Sequence, residues 1–326
     1  MERAGAARAM KVFDAAETQS ALPFDRLIAA LRECFAQGCT VPARHVHVLP
    51  VPGAKAITSL LMPAWIDGAF YGIKIVNVAP GNAARGLPGL HASYLLHDAR
   101  TGTPLALIDG DQITARRTAA ASALAASYLA RDDATHLLVV GAGRVARLLP
   151  HAYREVRAIE RVTVWARSAG SATALAADWH REGFDAAAAT DLEAAARSAD
   201  IVSCATLSPT PLIEGRWLRE GSHLDLIGSF TPQMREADEA CFAAPAAVYV
   251  DTEEALAKSG DLLTPIASGV FDPTTLRGTL QALSRGQAGG RRSAGERTVF
   301  KSVGTALEDL AAAMLVFRPP PPGLVS

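Results

Sequence analysis

The spacing of apolar residues divides this chain. In its first third the dominant pattern is alternation. Lys11 to Phe13 reads as a short strand, and Phe24 to Ala36 as a helix with Leu27, Leu31 and Phe35 on one face. Alternation then predicts strands over VPARHVHVLP, Ile57 to Met62 and Tyr71 to Val78. LHASYLLHDARTGTPLALIDG follows as two strands around a turn at Asp98 to Gly102, a hairpin. After Asp111 the chain changes character: Thr114 reads as the cap of a helix running through small residues to Arg131. Beyond it come further short strands at Arg161 to Ala166, Asp200 to Ala205, His223 to Ile227, Ala247 to Val250 and Thr298 to Ser302, after Leu137 to Val140, which is an unbroken apolar run. Runs of that kind are the mark of parallel strands covered on both faces. Helices are predicted over Ser171 to Glu182, Asp191 to Arg197 and Val303 to Phe317, the last stopped by the prolines of RPPPPGLVS. The pattern is that of an α/β protein.

The first of the buried runs carries the chemistry. Leu137 to Val140 is followed by Gly141, Gly143 and Ala146, giving G-x-G-x-x-A at a strand end, with a helix after it and a second strand at Arg161 to Ala166. Gly141 permits the tight turn, Gly143 leaves room for a pyrophosphate against the backbone, and Ala146 lets helix and strand pack closely. A bare glycine pattern is common, but inside a β-α-β unit it specifies dinucleotide binding. An NAD site usually places Asp or Glu at the end of the second strand to bind the ribose hydroxyls. Here the chain reads Trp165, Ala166, Arg167, Ser168. Arg167 can pair with a 2′-phosphate and Ser168 can donate to it, which favours NADP(H) over NAD(H).

Composition changes the picture mainly by exclusion. A chain of 326 residues can bury a sizeable core and is expected to form two domains. Its net charge of −1 gives no reason to expect nucleic acid or an anionic membrane as partner. No apolar run reaches the length of about eighteen residues needed for a membrane span. Met1 to Ala9 lack a signal core and read as a loose extension. Cys34, Cys39, Cys204 and Cys241 lack metal-site spacing and read as free thiols of a cytoplasmic protein.

Several polar residues stand out locally. Lys74 sits inside the apolar strand YGIKIVNV, either near a ligand carboxylate or imine or at an edge with its amine reaching solvent. Arg116 and Arg117 would lie in the first turn of a helix, where the dipole opposes cations, so either an anionic ligand or solvation must compensate. His45 and His47 share a strand face but have no ligating partner nearby, so no metal site is predicted. RGQAGGRRSAGER, Arg285 to Arg297, reads as a mobile, solvated basic loop without the aromatics that RNA stacking uses.

Taken in order, YGIKIVNV, GLPGLHASYLLHDARTGTPLALIDG, ITARRTAAASALAASYLAR, VVGAGRVA, HLDLIGSFTP, KSGDLLTPI and VFKSVGTALEDLAAA resemble the ornithine cyclodeaminase/mu-crystallin family from Met10 to about Phe317. The resemblance implies a Rossmann domain, residues 119–297, inserted in an α+β substrate and dimerisation domain, residues 1–118 plus 298–326, and a homodimer. It implies that Arg44, Lys74 and Arg117 surround the carboxylate and imine or amine of a small imino or amino acid, with Lys74 and Arg117 catalytic. It brings His91, Thr118, Gly141, Gly143, Arg144, Val145, Arg167, Ser168, Thr206 and Ser302 to the cofactor. One departure decides between branches. The cyclodeaminases carry an Asp shortly after the glycine of HLDLIGSFTP, and Phe230 stands there in this chain. Expelling ammonia needs such an acid–base group; reducing a preformed imine does not. The implied activity is reduction of Δ1-pyrroline-2-carboxylate to L-proline, and of its six-membered homologue to pipecolate, with Phe230 beside the substrate. The alternatives are an NAD-dependent ornithine cyclodeaminase, a related oxo-acid dehydrogenase and a non-catalytic mu-crystallin-like binder.

Overall fold

Two separate sheets follow from the two strand patterns, one mixed and largely antiparallel, the other wholly parallel. The computed structural model describes residues 9–318; residues 1–8 of the N-terminal extension and the prolines after Arg318 lie outside them. In chain order the elements begin with β1 (Lys11–Phe13), α1 (Ala15–Ala21), α2 (Phe24–Gln37), β2 (His45–Leu49), β3 (Ile57–Ile66), β4 (Phe70–Val78), β5 (Leu90–Asp98), β6 (Pro104–Asp109) and α3 (Gly110–Leu129). Next come β7 (His136–Val140), α4 (Arg144–Arg154), β8 (Arg161–Trp165), α5 (Ala169–Arg181), β9 (Asp185–Ala188), α6 (Leu192–Ser198), β10 (Ile201–Cys204), β11 (His223–Leu226) and β12 (Ala247–Val250). The chain continues through α7 (Ala255–Lys258), α8 (Gly260–Ala267), β13 (Gly278–Thr279), α9 (Leu280–Ser284), β14 (Thr298–Lys301) and α10 (Ala306–Phe317).

One compact unit comprises Gln37–Arg117 with the flanking residues up to Ala30 and from Ala306. Its sheet runs β1-β6-β5-β4-β3-β2, antiparallel from β2 to β6, with β1 added in parallel. Along β4 the buried positions are Gly72, Lys74 and Val76, the period-two inward face, and α10 packs against β3 and β4. Gly72 is dictated by its neighbour on β5: a Cβ there would lie 2.0 Å from the Tyr94 hydroxyl oxygen.

The second unit comprises Thr118–Thr305 with Leu31–Ala36. Its eight strands are all parallel, in the order β13-β12-β14-β11-β10-β7-β8-β9. Every residue of β7, β10, β11, β12 and β14 is buried, including the polar His223, Asp225 and Lys301. From β7 the chain winds outward through β8 and β9, then returns to place β10 on the other side of β7. That reversal is the switch point where an open α/β sheet forms a ligand crevice, outside the carboxyl ends of its strands. β14 lies between β11 and β12, so Thr298–Lys301 belongs to the parallel sheet and not to the segment grouped with residues 1–118. Its sequence could not fix this, because a short apolar run fits either sheet.

Two local expectations are corrected. The long helix starts at Gly110, four residues before Thr114, with Asp109 accepting from the Gln112 N–H at 2.7 Å. Thr114 instead donates its hydroxyl to the Gly110 carbonyl at 2.8 Å. Arg116 and Arg117 therefore lie beyond the first turn, where the dipole argument does not reach. The basic stretch Arg285 to Arg297 is not a free solvated loop. Arg291 is half-buried and donates to the Leu129 and Ser222 carbonyls and to the Thr298 hydroxyl oxygen. Arg157 similarly serves the Ser127, Ala130 and Arg131 carbonyls. These guanidinium groups satisfy the open carbonyls at the end of α3, which a helix C-terminus requires.

Candidate active site

In the first unit four charges are buried together. Lys74 on β4 places Nζ 2.8 and 2.7 Å from the two carboxylate oxygens of Asp309. Arg117 on α3 gives Nε to Asp309 Oδ1 at 2.8 Å and Nη1 to Glu308 Oε2 at 2.6 Å. The acids open α10, where a helix N-terminus favours carboxylates, and the apolar body of that helix carries them inside. Lys74 is 1 % exposed on a strand flanked by β3 and β5, so it is not an edge residue reaching solvent. Burial pushes its pKa down to about 8, against Asp309, which holds it up, while Arg117 adds to the fall. Burial works against the Arg117 cation too, but Asp309 and Glu308 outweigh it and keep the guanidinium charged. Burial likewise opposes the charge on Asp309, yet Lys74 and Arg117 hold its carboxyl below the usual range.

Two cations and two anions make this set formally neutral. A bound carboxylate would therefore need a further positive charge. Arg44 is half-buried and stands immediately before β2, whose first residue, His45, pairs with Leu61. The next position on β3, Met62, pairs with Lys74, so the register places Arg44 close to the cross-strand row that holds Lys74. His91 lies exposed on β5, opposite Asn77 of β4.

The parallel unit carries the dinucleotide geometry. Gly141 ends β7 at φ +122°, and a Cβ there would lie 2.7 Å from the Ala205 carbonyl oxygen and 3.3 Å from Thr206 Cγ2. Gly143 caps α4 with open space where a side chain would be, and Ala146 is fully buried against the sheet. These are the tight turn, the room for phosphates and the close packing that the fingerprint needs, so the residues fit a dinucleotide. Arg144 opens α4 and is exposed; Val145 beside it is half-buried. Arg167 is exposed just beyond β8, and Ser168 caps α5 by accepting from the Ser171 N–H at 3.3 Å. Thr118 is half-buried in α3. Thr206 donates its N–H and hydroxyl to Glu236, and Ser302 is buried with its hydroxyl on Asp251. Phe230 follows β11 and is 40 % exposed. Asp225, the other acid of that stretch, is fully buried and accepts the hydroxyls of Ser122, Tyr153 and Ser203.

The residues that sequence reading missed are acids. Glu308 and Asp309 could have been found as two carboxylates in an otherwise apolar helix, the pattern that forces buried partners. Glu236 and Asp251 give no such local signal. Among the described residues no group of His, Cys, Asp and Glu is placed to hold a metal ion, and no helix is long and apolar enough to cross a membrane.

Known proteins resemble this chain over most of its length. The family model described as the ornithine cyclodeaminase/mu-crystallin family matches residues 12–319. A Δ1-pyrroline-2-carboxylate reductase of Paracoccus denitrificans is 45% identical over 288 residues, covering 88% of this chain and 90% of that protein. Among solved structures, a Thermococcus litoralis Δ1-pyrroline-2-carboxylate reductase in complex with NADH and L-proline superposes with a TM-score of 0.88 at 32% identity, covering 94% and 96% of the two chains. An archaeal alanine dehydrogenase dimer with bound NAD superposes with a TM-score of 0.86 at 29% identity, covering 94% and 95%.

Proposed function

This chain belongs to the ornithine cyclodeaminase/mu-crystallin family, and from that premise we propose that it is an NADPH-dependent ketimine reductase forming L-proline from Δ1-pyrroline-2-carboxylate. The observation that carries the reading is the buried Lys74 amine, poised near neutrality between Asp309 and the permanent cation of Arg117. Reducing a preformed cyclic imine requires a place for one carboxylate, one proton for the ring nitrogen, and a hydride. Lys74 in its ammonium form donates the proton: an N–H bond forms on the substrate as one breaks at Nζ. Arg117 has two of its three guanidinium nitrogens on internal acids, so it is held rigidly and presents the remaining one. Arg44 supplies the cation that offsets the substrate carboxylate, and the two arginines fix the ring for attack at C2. The dinucleotide, when bound, supplies the hydride. Gly141, Gly143, Arg144 and Val145 hold its pyrophosphate end, Arg167 and Ser168 its 2′-phosphate, and His91, Thr118, Thr206 and Ser302 line the rest. Phe230 forms an apolar wall that excludes water. The six-membered homologue is accepted in the same way and gives pipecolate.

A cyclodeaminase reading is disfavoured by Asp225, whose carboxylate is occupied by three hydroxyls inside the sheet. A homodimer is the proposed assembly: β2 is an edge strand whose Val46 and Val48 are exposed, and such an edge calls for cover. Deuterium transfer tests the reaction. With NADPH deuterated at the transferring C4 position, the L-proline formed is expected to carry one deuterium at C2. Proline without that label would refute direct hydride transfer.

A further inference from the structure

Glu236 is fully buried just beyond the dinucleotide crevice, and four donors converge on its two oxygens. Oε1 accepts the N–H of Thr206 at 2.6 Å and its hydroxyl at 2.8 Å; Oε2 accepts the N–H groups of Gly228 at 2.7 Å and Ser229 at 3.2 Å. The carboxylate thereby ties the loop after β10 to the loop after β11. Its own backbone is fixed from both sides, with its N–H on Asp261 Oδ1 at 2.7 Å and its carbonyl accepting from Leu212 and Ile213. The tied loops are packed without slack: a Cβ on Gly228 would lie 1.8 Å from the Thr206 carbonyl oxygen. The first loop also forms a wall of the glycine fingerprint, because Ala205 and Thr206 are the atoms that a Cβ on Gly141 would meet. Whatever moves Thr206 therefore moves the surface against which the fingerprint turn is built.

We propose that Glu236 is a positioning residue of the dinucleotide site, and that it must be ionised to hold the two loops in the arrangement the cofactor binds. This rests on the dinucleotide site of the proposed function. Only a carboxylate can accept all four hydrogen bonds. Protonation turns one acceptor position into a donor, which the three backbone N–H groups cannot receive and the Thr206 hydroxyl can receive only by giving up its own donation to the carboxylate, in a site where an unmade hydrogen bond is not replaced by water. Burial pushes the Glu236 pKa up to about 7, Lys301 on β14 opposes the rise, and Asp261 on α8 adds to it. Cys204 on β10 is the other titratable group coupled to it, and burial keeps that thiol protonated. The ionised form thus dominates only above neutrality.

NADH is the probe, since it lacks the 2′-phosphate that would itself titrate. Its dissociation constant is measured by fluorescence between pH 6 and pH 9 for the unmodified protein and Glu236→Gln. The unmodified protein is expected to bind NADH about tenfold more weakly at pH 6 than at pH 8, the factor that one pH unit below the pKa gives. Glu236→Gln is expected to bind weakly at every pH, because its amide brings donors to donors. A flat profile in the unmodified protein overturns the proposal even where Glu236→Gln does not fold. Glu236→Gln binding with the unmodified profile overturns it equally. Absence of NADH binding at any pH would overturn the dinucleotide reading itself.

Discussion

At the scale of single residues, the proposed function rests on Lys74 for the proton and on Arg167 for the choice of cofactor. Lys74 is protonated below about 8, and imine reduction draws on that form. With cofactor held saturating at every pH, kcat/KM for the imine is therefore expected to be level on the acid side, then to fall as pH rises through about 8. A pH–rate profile checks this, and a rate rising through that region would remove Lys74 as donor. Replacing Asp309 by Asn takes away the carboxylate that holds the Lys74 pKa up, so the fall should move to lower pH. The same variant should lose roughly 3–5 kcal/mol of stability in a denaturant titration, the usual cost of breaking a buried charge pair. Arg44→Ala should lower kcat/KM by the equivalent of roughly 1.5–3 kcal/mol, one lost charge-assisted contact to the substrate carboxylate, read from steady-state kinetics. Arg167→Asp should reverse the preference for NADPH over NADH in direct binding; an unchanged order would show that Arg167 does not read the 2′-phosphate. Lys74 was visible in the sequence as a charge in an apolar strand. Its partner was not, because Asp309 lies 235 positions away and only the sheet-on-helix packing brings them together.

At the scale of elements, the strand β7, its turn and α4 were the most legible part of the chain, since a fingerprint joins residue type directly to local geometry. The two glycines of that turn should nonetheless behave differently. Gly141→Ala places a Cβ 2.7 Å from the Ala205 carbonyl at φ +122°, so both fold stability and cofactor binding should suffer. Gly143→Ala puts its methyl into open space, so the melting temperature should hold while cofactor affinity drops about tenfold or more, roughly 1.4 kcal/mol. Paired melting and binding curves separate the two cases; equal loss of stability in both would contradict the assignment of Gly143 to phosphate approach. Less legible were the boundaries. The true start of α3 at Gly110 was hidden because Asp109 ends a strand and caps a helix at once. The anchoring of Arg291 was hidden because sequence shows a run of Gly and Arg but not the carbonyls waiting at the end of α3.

At the scale of the whole molecule, the α/β class followed from periodicity and the family from the order of its motifs, whereas the buried acids had to be seen. Glu308 and Asp309 show locally as carboxylates in an apolar helix, but their partners Lys74 and Arg117 are distant in sequence, and Glu236 and Asp251 give no local signal. The proposed dimer has its own check: sedimentation should give a species of twice the chain mass. The central claim is that this member of the family reduces a preformed cyclic imine and does not deaminate an amino acid. In that claim Phe230 is taken as the counterpart of the acid that the family resemblance gives the cyclodeaminases, and Asp225 is committed within the sheet. The most direct measurement sets the two reactions side by side on the unmodified protein: Δ1-pyrroline-2-carboxylate with NADPH, and L-ornithine with NAD, following proline, ammonia and cofactor in each. The account predicts proline formed with stoichiometric loss of NADPH in the first mixture and no appreciable ammonia in the second. Rapid release of ammonia and proline from ornithine without net consumption of cofactor would contradict it.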